Sequence, residues 1–373
     1  MKKLIAAAIS AAFVAPVAFA DVTIYGSIRY SLDYNNYGNN PYGATPNNKA
    51  TGWDQSSRIG FKGVDKWDDS SFATIWQVES AQGAKDANGN KSLGGTNWGT
   101  RNNFIGVQSN NYGTLRVGNY DSAYKTLLTS SNLSSIFDNF ADDGDFKGNK
   151  AVFAQLNARL NSSFSYDSPV FSGFQVRTTY GQDTATTIGK GAPIVGVSGL
   201  YTNGGLVLGL TDQYARNRTF SNVAGITDAT NNVGTNVTSG ASVNGTEVAV
   251  GYKFDVAQIG AGWEHISDKR PTGTFTWNNY VVTGNYNFSP KLQAQGLYGY
   301  SRKYLGVDGQ NGQQGTLGLV YFTTKQTRLY TYLVHLKNDA AKGGASFQNN
   351  SGSLVALPGE TSNQFSVGMR TDF

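Results

Sequence analysis

Four carboxylates fall within eight residues, Asp138, Asp142, Asp143 and Asp145, inside a polar stretch running from Tyr120 to Ala154. Cations stand elsewhere at alternating positions, among them Arg29, Lys62 and Arg116. Fixed acids facing fixed bases across water make a transverse field, which orders solvent and orients polar solutes. Bond-making chemistry has little to draw on. There is no Cys, and the two histidines, His265 and His335, lie far apart, so a His/Cys zinc site lacks ligands. Trp263-Glu-His-Ile-Ser267 sets a His near a Ser, but a hydrolase needs a third, orienting group, and none is evident. Gly94-Gly95 and Gly204-Gly205 lack the following Lys-Ser/Thr of a phosphate loop and read as turns. No metal, cofactor or catalytic residue is expected. The plain alternative for the acids is a solvated loop, since Gly144 and Gly148 would let it sit outside.

The elements that must position these groups are strands. Val22, Ile24, Gly26, Ile28, Tyr30, Leu32 and Tyr34 share one face of the first, opposite Thr23, Tyr25, Ser27, Arg29, Ser31 and Asp33. The last alternates likewise: Phe365, Val367, Met369, Thr371 and Phe373 on one face, Ser366, Gly368, Arg370 and Asp372 on the other. One face suits lipid and the other water, and the chain stops on Phe373, where a membrane-interface anchor sits. Alternation recurs in about sixteen segments, the others near 56–65, 70–80, 100–110, 113–119, 155–167, 173–181, 193–202, 205–216, 244–253, 257–267, 277–287, 291–302, 314–322 and 326–338. Tight turns such as Asn203-Gly204 alternate with long Gly/Asn/Ser-rich connections at 35–55, 81–99, 120–154, 217–243 and 339–360.

Composition agrees. The chain has 46 Gly, 21 Tyr, 20 Phe and 6 Trp with 15% charged residues, a strand-and-turn mixture rich in interfacial rings. Met1-Lys2-Lys3, an apolar run from Leu4 to Ala15 and Ala18-Phe19-Ala20 form an export signal, residues 1–20, so the mature chain is expected to begin at Asp21. Cleavage removes two lysines and no acid, so the basic excess falls from five to three, too small to suggest nucleic acid. No later stretch reaches 18 consecutive apolar residues, so a membrane fold must be a closed barrel.

The expectation is therefore an all-β fold over residues 21–373: a transmembrane, 16-stranded, antiparallel up-and-down β-barrel. Sixteen strands leave a lumen too wide for side chains to fill. The third long connection, about 120–154, is expected to fold inward and constrict it. By parity Arg29, Lys62 and Arg116 face the interior, although a wetted wall position is the plain alternative for each.

Several blocks carry a resemblance: Asp21-Val-Thr-Ile-Tyr-Gly26, Ser57-Arg-Ile-Gly-Phe-Lys-Gly63, Ile75-Trp-Gln-Val-Glu79, Trp98-Gly-Thr-Arg-Asn-Asn-Phe-Ile-Gly106, Gly113-Thr-Leu-Arg-Val-Gly118, Ser165-Tyr-Asp-Ser-Pro169 and the terminal Phe373. In this order, and spanning the mature chain, they resemble the neisserial and betaproteobacterial general porins. The resemblance implies a homotrimer in the cell outer membrane, among membrane lipids and lipopolysaccharide. Its third outer loop narrows each barrel, and ions and small hydrophilic solutes pass by diffusion with a modest anion preference. It also implies basic wall residues at Arg58, Arg101 and Arg159, faced by Asp138, Asp142, Asp143 and Asp145 on the loop. The strand ending on Phe373 would be the contact for the assembly machinery. The chain departs from the pattern at Ser27 and Asn119, where relatives often carry a base, and lacks the Pro-Glu-Phe-Gly-Gly loop sequence. A substrate-selective channel for a sugar, phosphate or organic acid, and a non-conducting or enzymatic barrel, are the alternatives.

Overall fold

The computed structural model describes residues 21–38, 49–82, 98–148, 150–181, 191–223 and 238–373; the expected export signal lies outside them. One antiparallel sheet contains β1 (Asp21–Tyr37), β2 (Lys49–Asp54), β3 (Arg58–Lys66), β4 (Phe72–Ala81), β5 (Asn103–Ser109) and β6 (Gly113–Asp121). It continues through β7 (Arg159–Asp167), β8 (Phe174–Gly181), β9 (Ile194–Asn203), β10 (Leu206–Arg216), β11 (Ser242–Lys253) and β12 (Ala257–Arg270). β13 (Gly273–Ser289), β14 (Leu292–Arg302), β15 (Gly312–Phe322), β16 (Thr327–Asn338) and, after a small hairpin of β17 (Phe347–Gln348) and β18 (Val355–Ala356), β19 (Thr361–Asp372) complete it.

β1 pairs with β19 along one edge and with β2 and β3 along the other, so the sheet closes on itself. β2 and β3 are two pieces of one wall strand broken at Gln55–Ser57, which makes sixteen wall strands. Closure leaves no edge with unpaired donors and acceptors, the condition for backbone in hydrocarbon. At the seam, Gly26 N donates to Phe373 O at 2.8 Å and Phe373 N to Gly26 O at 3.1 Å.

Alternation is obeyed around the ring. In β1, Ile24 and Leu32 are more than half exposed, whereas Ser27, Arg29, Ser31, Asp33 and Asn35 are buried. In β19, Phe365, Val367 and Met369 point out while Ser362, Gln364 and Ser366 are buried. An apolar band on the outside of a closed sheet is the surface that lipid requires.

Connections on the rim that holds Asp21 and Phe373 are short, 204–205 being one. Those on the other rim are mostly long, with 271–272 the exception. There the pairing runs to Arg270 and Gly273, longer than the expected 257–267 and 277–287, so Pro271 and Thr272 alone make the turn. Among the described residues, three short α-helices, α1 (Ala123–Thr129), α2 (Ser134–Phe137) and α3 (Phe220–Val223), lie in the long-rim connections, the first two between β6 and β7.

Candidate functional site: a charged lumen beside the third connection

Residues 122–158 begin as a capped helix. Ser122, in extended backbone, accepts a hydrogen bond from Lys125 N at 3.2 Å, satisfying one donor of the first turn of α1. Tyr124, Leu127, Leu128, Leu133, Ile136, Phe137, Val152, Phe153 and Leu156 of this segment are buried. Their seat is a track of glycines on the wall face opposite the apolar band. A Cβ at Gly260 would lie 2.7 Å from the Phe137 ring, one at Gly209 2.7 Å from Leu133, and one at Gly262 2.6 Å from Phe153. Leu156 presses likewise on Gly245, and Ile136 on Gly251. A side chain at any of these positions would force the group packed on it to shift.

Polar bonds fasten the same segment. Tyr124 Oη donates to Glu264 Oε1 in β12, Gln155 N donates to that oxygen at 2.8 Å, and Trp277 Nε1 donates to Gln155 Oε1 at 2.7 Å. At the other end, Ala141 N donates to the Tyr332 hydroxyl at 3.1 Å. The break between β2 and β3 contributes too. Ser56, in left-handed backbone at φ 62°, donates through its hydroxyl to Asp142, and Gln55 Nε2 donates to Asp143 Oδ1 at 2.5 Å. The connection bearing β17 and β18 reaches in, with Asn350 Nδ2 donating to Asp145 Oδ2 at 3.0 Å.

Between the segment and the wall opposite its glycine track lies a cavity of about 640 Å³. Six cations line it, Arg29, Arg58, Arg101, Lys125, Lys147 and Arg370, with five carboxylates, Asp54, Glu79, Asp121, Asp138 and Asp142. Arg101 Nε pairs with Glu79 Oε1 at 2.5 Å, Lys125 with Asp121 at 3.0 Å, and Lys147 with Asp145 at 2.7 Å and Asp138 at 3.1 Å. Burial disfavours the Lys147 ammonium, but Asp145 and Asp138 outweigh it and hold the group above its ordinary range. Lys125 differs. Burial, reinforced by Arg159 and Arg101 and opposed by Asp121, brings its amine down to about 8. Among the described residues, neither Arg29 nor Arg58 has a carboxylate within the 4.0 Å of an ion pair.

The candidates named from sequence thus fall into groups. Arg29, Arg58, Arg101, Asp138 and Asp142 line the cavity together. Arg159 stands behind it, fully buried, with Nη2 2.9 Å from Asp121 and Nε donating to Asn102 Oδ1 at 2.9 Å, so it fixes Asp121. Asp143 and Asp145 are buried against the wall and the connection bearing β17 and β18. Arg116 pairs with Asp167 at 3.0 Å beneath Tyr120, and the Lys62 ammonium sits 5.2 Å from the Tyr25 ring, both outside the cavity lining. The Phe373 ring packs on Gly26 at the seam. Sequence reasoning did not single out Arg370, Lys125, Lys147, Glu79 or Asp121. Arg370 and Glu79 carried a signal, the one its place on the watery face of the last strand, the other its place in the alternating 70–80 segment. Groups of three or more potential metal ligands do not occur among the described residues.

A sealed ring with an oily outside and a charged interior is a channel architecture, and residues 6–341 match the profile of the Gram-negative porins. The chain belongs to the Gram-negative porin family. It is 29% identical to the major outer membrane protein P.IB of Neisseria sicca, over 95% of this chain and 98% of that protein. It is 27% identical to outer membrane porin protein 32 of Delftia acidovorans, over 100% of this chain and 99% of the other. An anion-selective porin from Comamonas acidovorans shares the fold, with a TM-score of 0.70 at 21% identity, covering 95% of this chain and 99% of that one. This porin is accordingly a protein of the cell outer membrane that forms a channel, and its sixteen strands are the wall.

Proposed function

We propose that residues 122–158 narrow the lumen and that the resulting slot passes ions and small hydrophilic solutes by diffusion, anions ahead of cations. The unpaired guanidinium groups of Arg29 and Arg58 carry this reading. Paired charges cancel at a distance, whereas an Arg with no carboxylate partner keeps its field and is satisfied by a passing anion. Six cations against five carboxylates leave a small positive excess, in keeping with a modest preference rather than strict selection. Asp138 and Asp142 on the loop face the guanidiniums of the wall, so a polar solute turns its dipole as it passes while an apolar one gains nothing for its lost contacts. The similarity to an anion-selective porin is consistent with this sign.

Membership in the family supports the remaining features of this reading. Residues 1–20 direct export and are removed, the barrel assembles as a homotrimer among lipids and lipopolysaccharide, and the Phe373 strand is the handle for the assembly machinery. The protein performs transport and no covalent chemistry. Replacing Arg29 and Arg58 together by Ser is the test. Single-channel conductance in a planar bilayer should rise, and the reversal potential in a salt gradient should move toward cation preference. An unchanged reversal potential with a well-folded barrel refutes the role given to the two arginines.

A further inference from the structure

Asp33 of β1 and Asp143 of the loop are both buried, at 2% and 0% exposure, and both contact the hydroxyl of Ser366 in β19. Ser366 Oγ lies 2.9 Å from Asp33 Oδ1 and 2.8 Å from Asp143 Oδ2. A hydroxyl has one hydrogen and can donate to only one of them. The other contact has hydrogen-bond length and needs a hydrogen of its own, which only the carboxyl can supply. The surroundings say which. Asp143 Oδ1 receives Gln55 Nε2 at 2.5 Å and the hydroxyls of Ser351 and Ser353 at 3.0 Å each, the company of an ionised group. Asp33 Oδ2 is buried without a partner.

Charge makes the same demand. Among the described residues, neither carboxyl has a Lys or Arg within ion-pair distance. The titratable groups facing the pair are Tyr37 on β1, Asp142 on the loop, and Tyr330 and Tyr332 on β16, none of which is a cation. Two buried negative charges with no counterion are far costlier than one.

We propose that Asp33 and Asp143 share a single proton through Ser366, in the order Asp33 O–H to Ser366 Oγ and Ser366 O–H to Asp143 carboxylate, and that this proton latches the loop to the wall. The latch sits where β1, the break before β3, the loop, the β17–β18 connection and β19 meet. Loss of the proton leaves two adjacent carboxylates with one hydrogen too few, and their repulsion pushes the loop tip off the wall. Alkaline conditions therefore unlatch the loop and the channel begins to flicker. The inference rests on the loop lying in the conduction path, and its test separates the two ideas.

The experiment compares the full-length barrel with Asp33→Asn, whose amide donates to Ser366 at every pH and cannot ionise. Bilayer recordings of wild type from neutral to strongly alkaline pH should show steady current giving way to frequent partial closures. In Asp33→Asn the neutral-pH conductance should be retained and the alkaline closures lost. Infrared difference spectra of wild type across the same range should lose a protonated-carboxyl stretch that Asp33→Asn lacks. A wild type with no such band, a variant that still flickers, or a stoichiometric metal ion bound by wild type and lost in the variant overturns the shared proton. A band that vanishes while the current stays steady also overturns the latch, but leaves conduction and the Arg29/Arg58 result standing.

Discussion

Lys125 offers a sharp handle on conduction, because its charge changes near neutrality. The amine lines the lumen 3.0 Å from Asp121, and its pKa is brought down to about 8. For a base, a lowered pKa means the cation is present below about 8 and absent above it. As pH rises from 7 to 9, the six lining cations become five against five carboxylates, and the positive excess vanishes. The size follows from Coulomb's law. A unit charge roughly 7 Å from the ion path in water is worth about 0.6 kcal/mol, which salt screening at a Debye length of about 10 Å cuts to about 0.3 kcal/mol. It favours anions and disfavours cations equally, so the permeability ratio moves by about 0.6 kcal/mol, or roughly threefold. Reversal potentials in a salt gradient, measured from pH 6 to pH 10, should show anion preference falling through a step near pH 8. Lys125→Gln should start at the alkaline value and show no step. A ratio that is flat across this range, or a step that survives in Lys125→Gln, refutes the reasoning. The step is one of selectivity, so it is distinct from the closures tied to Asp33.

Two further outcomes concern the scaffold. Phe137 is wholly buried over Gly260, and Phe137→Ala should cost about 3–5 kcal/mol of packing. Because the barrel's own hydrogen bonds are untouched, the loss should fall on the loop, seen as faster proteolysis within 122–158 and noisier, larger conductance with unchanged heat-resistant migration on gels. Phe373→Ala keeps both backbone bonds to Gly26 but removes a ring that is half exposed, so it should cost about 1 kcal/mol. A fall of a few degrees in the temperature at which the barrel unfolds on a semi-native gel is expected, and an unchanged midpoint would show that the ring contributes nothing to the seam.

The wall was largely legible in the sequence because a half-wet sheet imposes a period of two, and one residue out of step would turn every ring of a strand into the water. Val22 to Tyr34 and Phe365 to Phe373 could be assigned to faces by counting. The site was less legible because a connection has no such period. Asp142 and Asp143 are adjacent, yet one lines the cavity and the other is buried against Ser366, a choice made by the partners each meets in space. Lys125 and Lys147 carry no signal in the chain distinguishing them from solvated lysines. Arg159 escapes simple counting because the ladder between β6 and β7 shifts between Gly118 and Tyr120, and Ser162 takes a left-handed conformation at φ 49°. The break at Gln55–Ser57 was likewise invisible, since no Gly or Pro marks it.

The seam between β1 and β19 has a consequence for how the molecule is made. The first strand's neighbour across the seam, β19, follows every other wall strand along the chain, so a version that stops before it carries two raw borders of unmet amide and carbonyl groups. Such a half-finished sheet has no resting place in oil. Insertion must either reach completion or be chaperoned throughout, and a truncation of only a dozen residues at the carboxyl end should leave not a leakier pore but no pore at all.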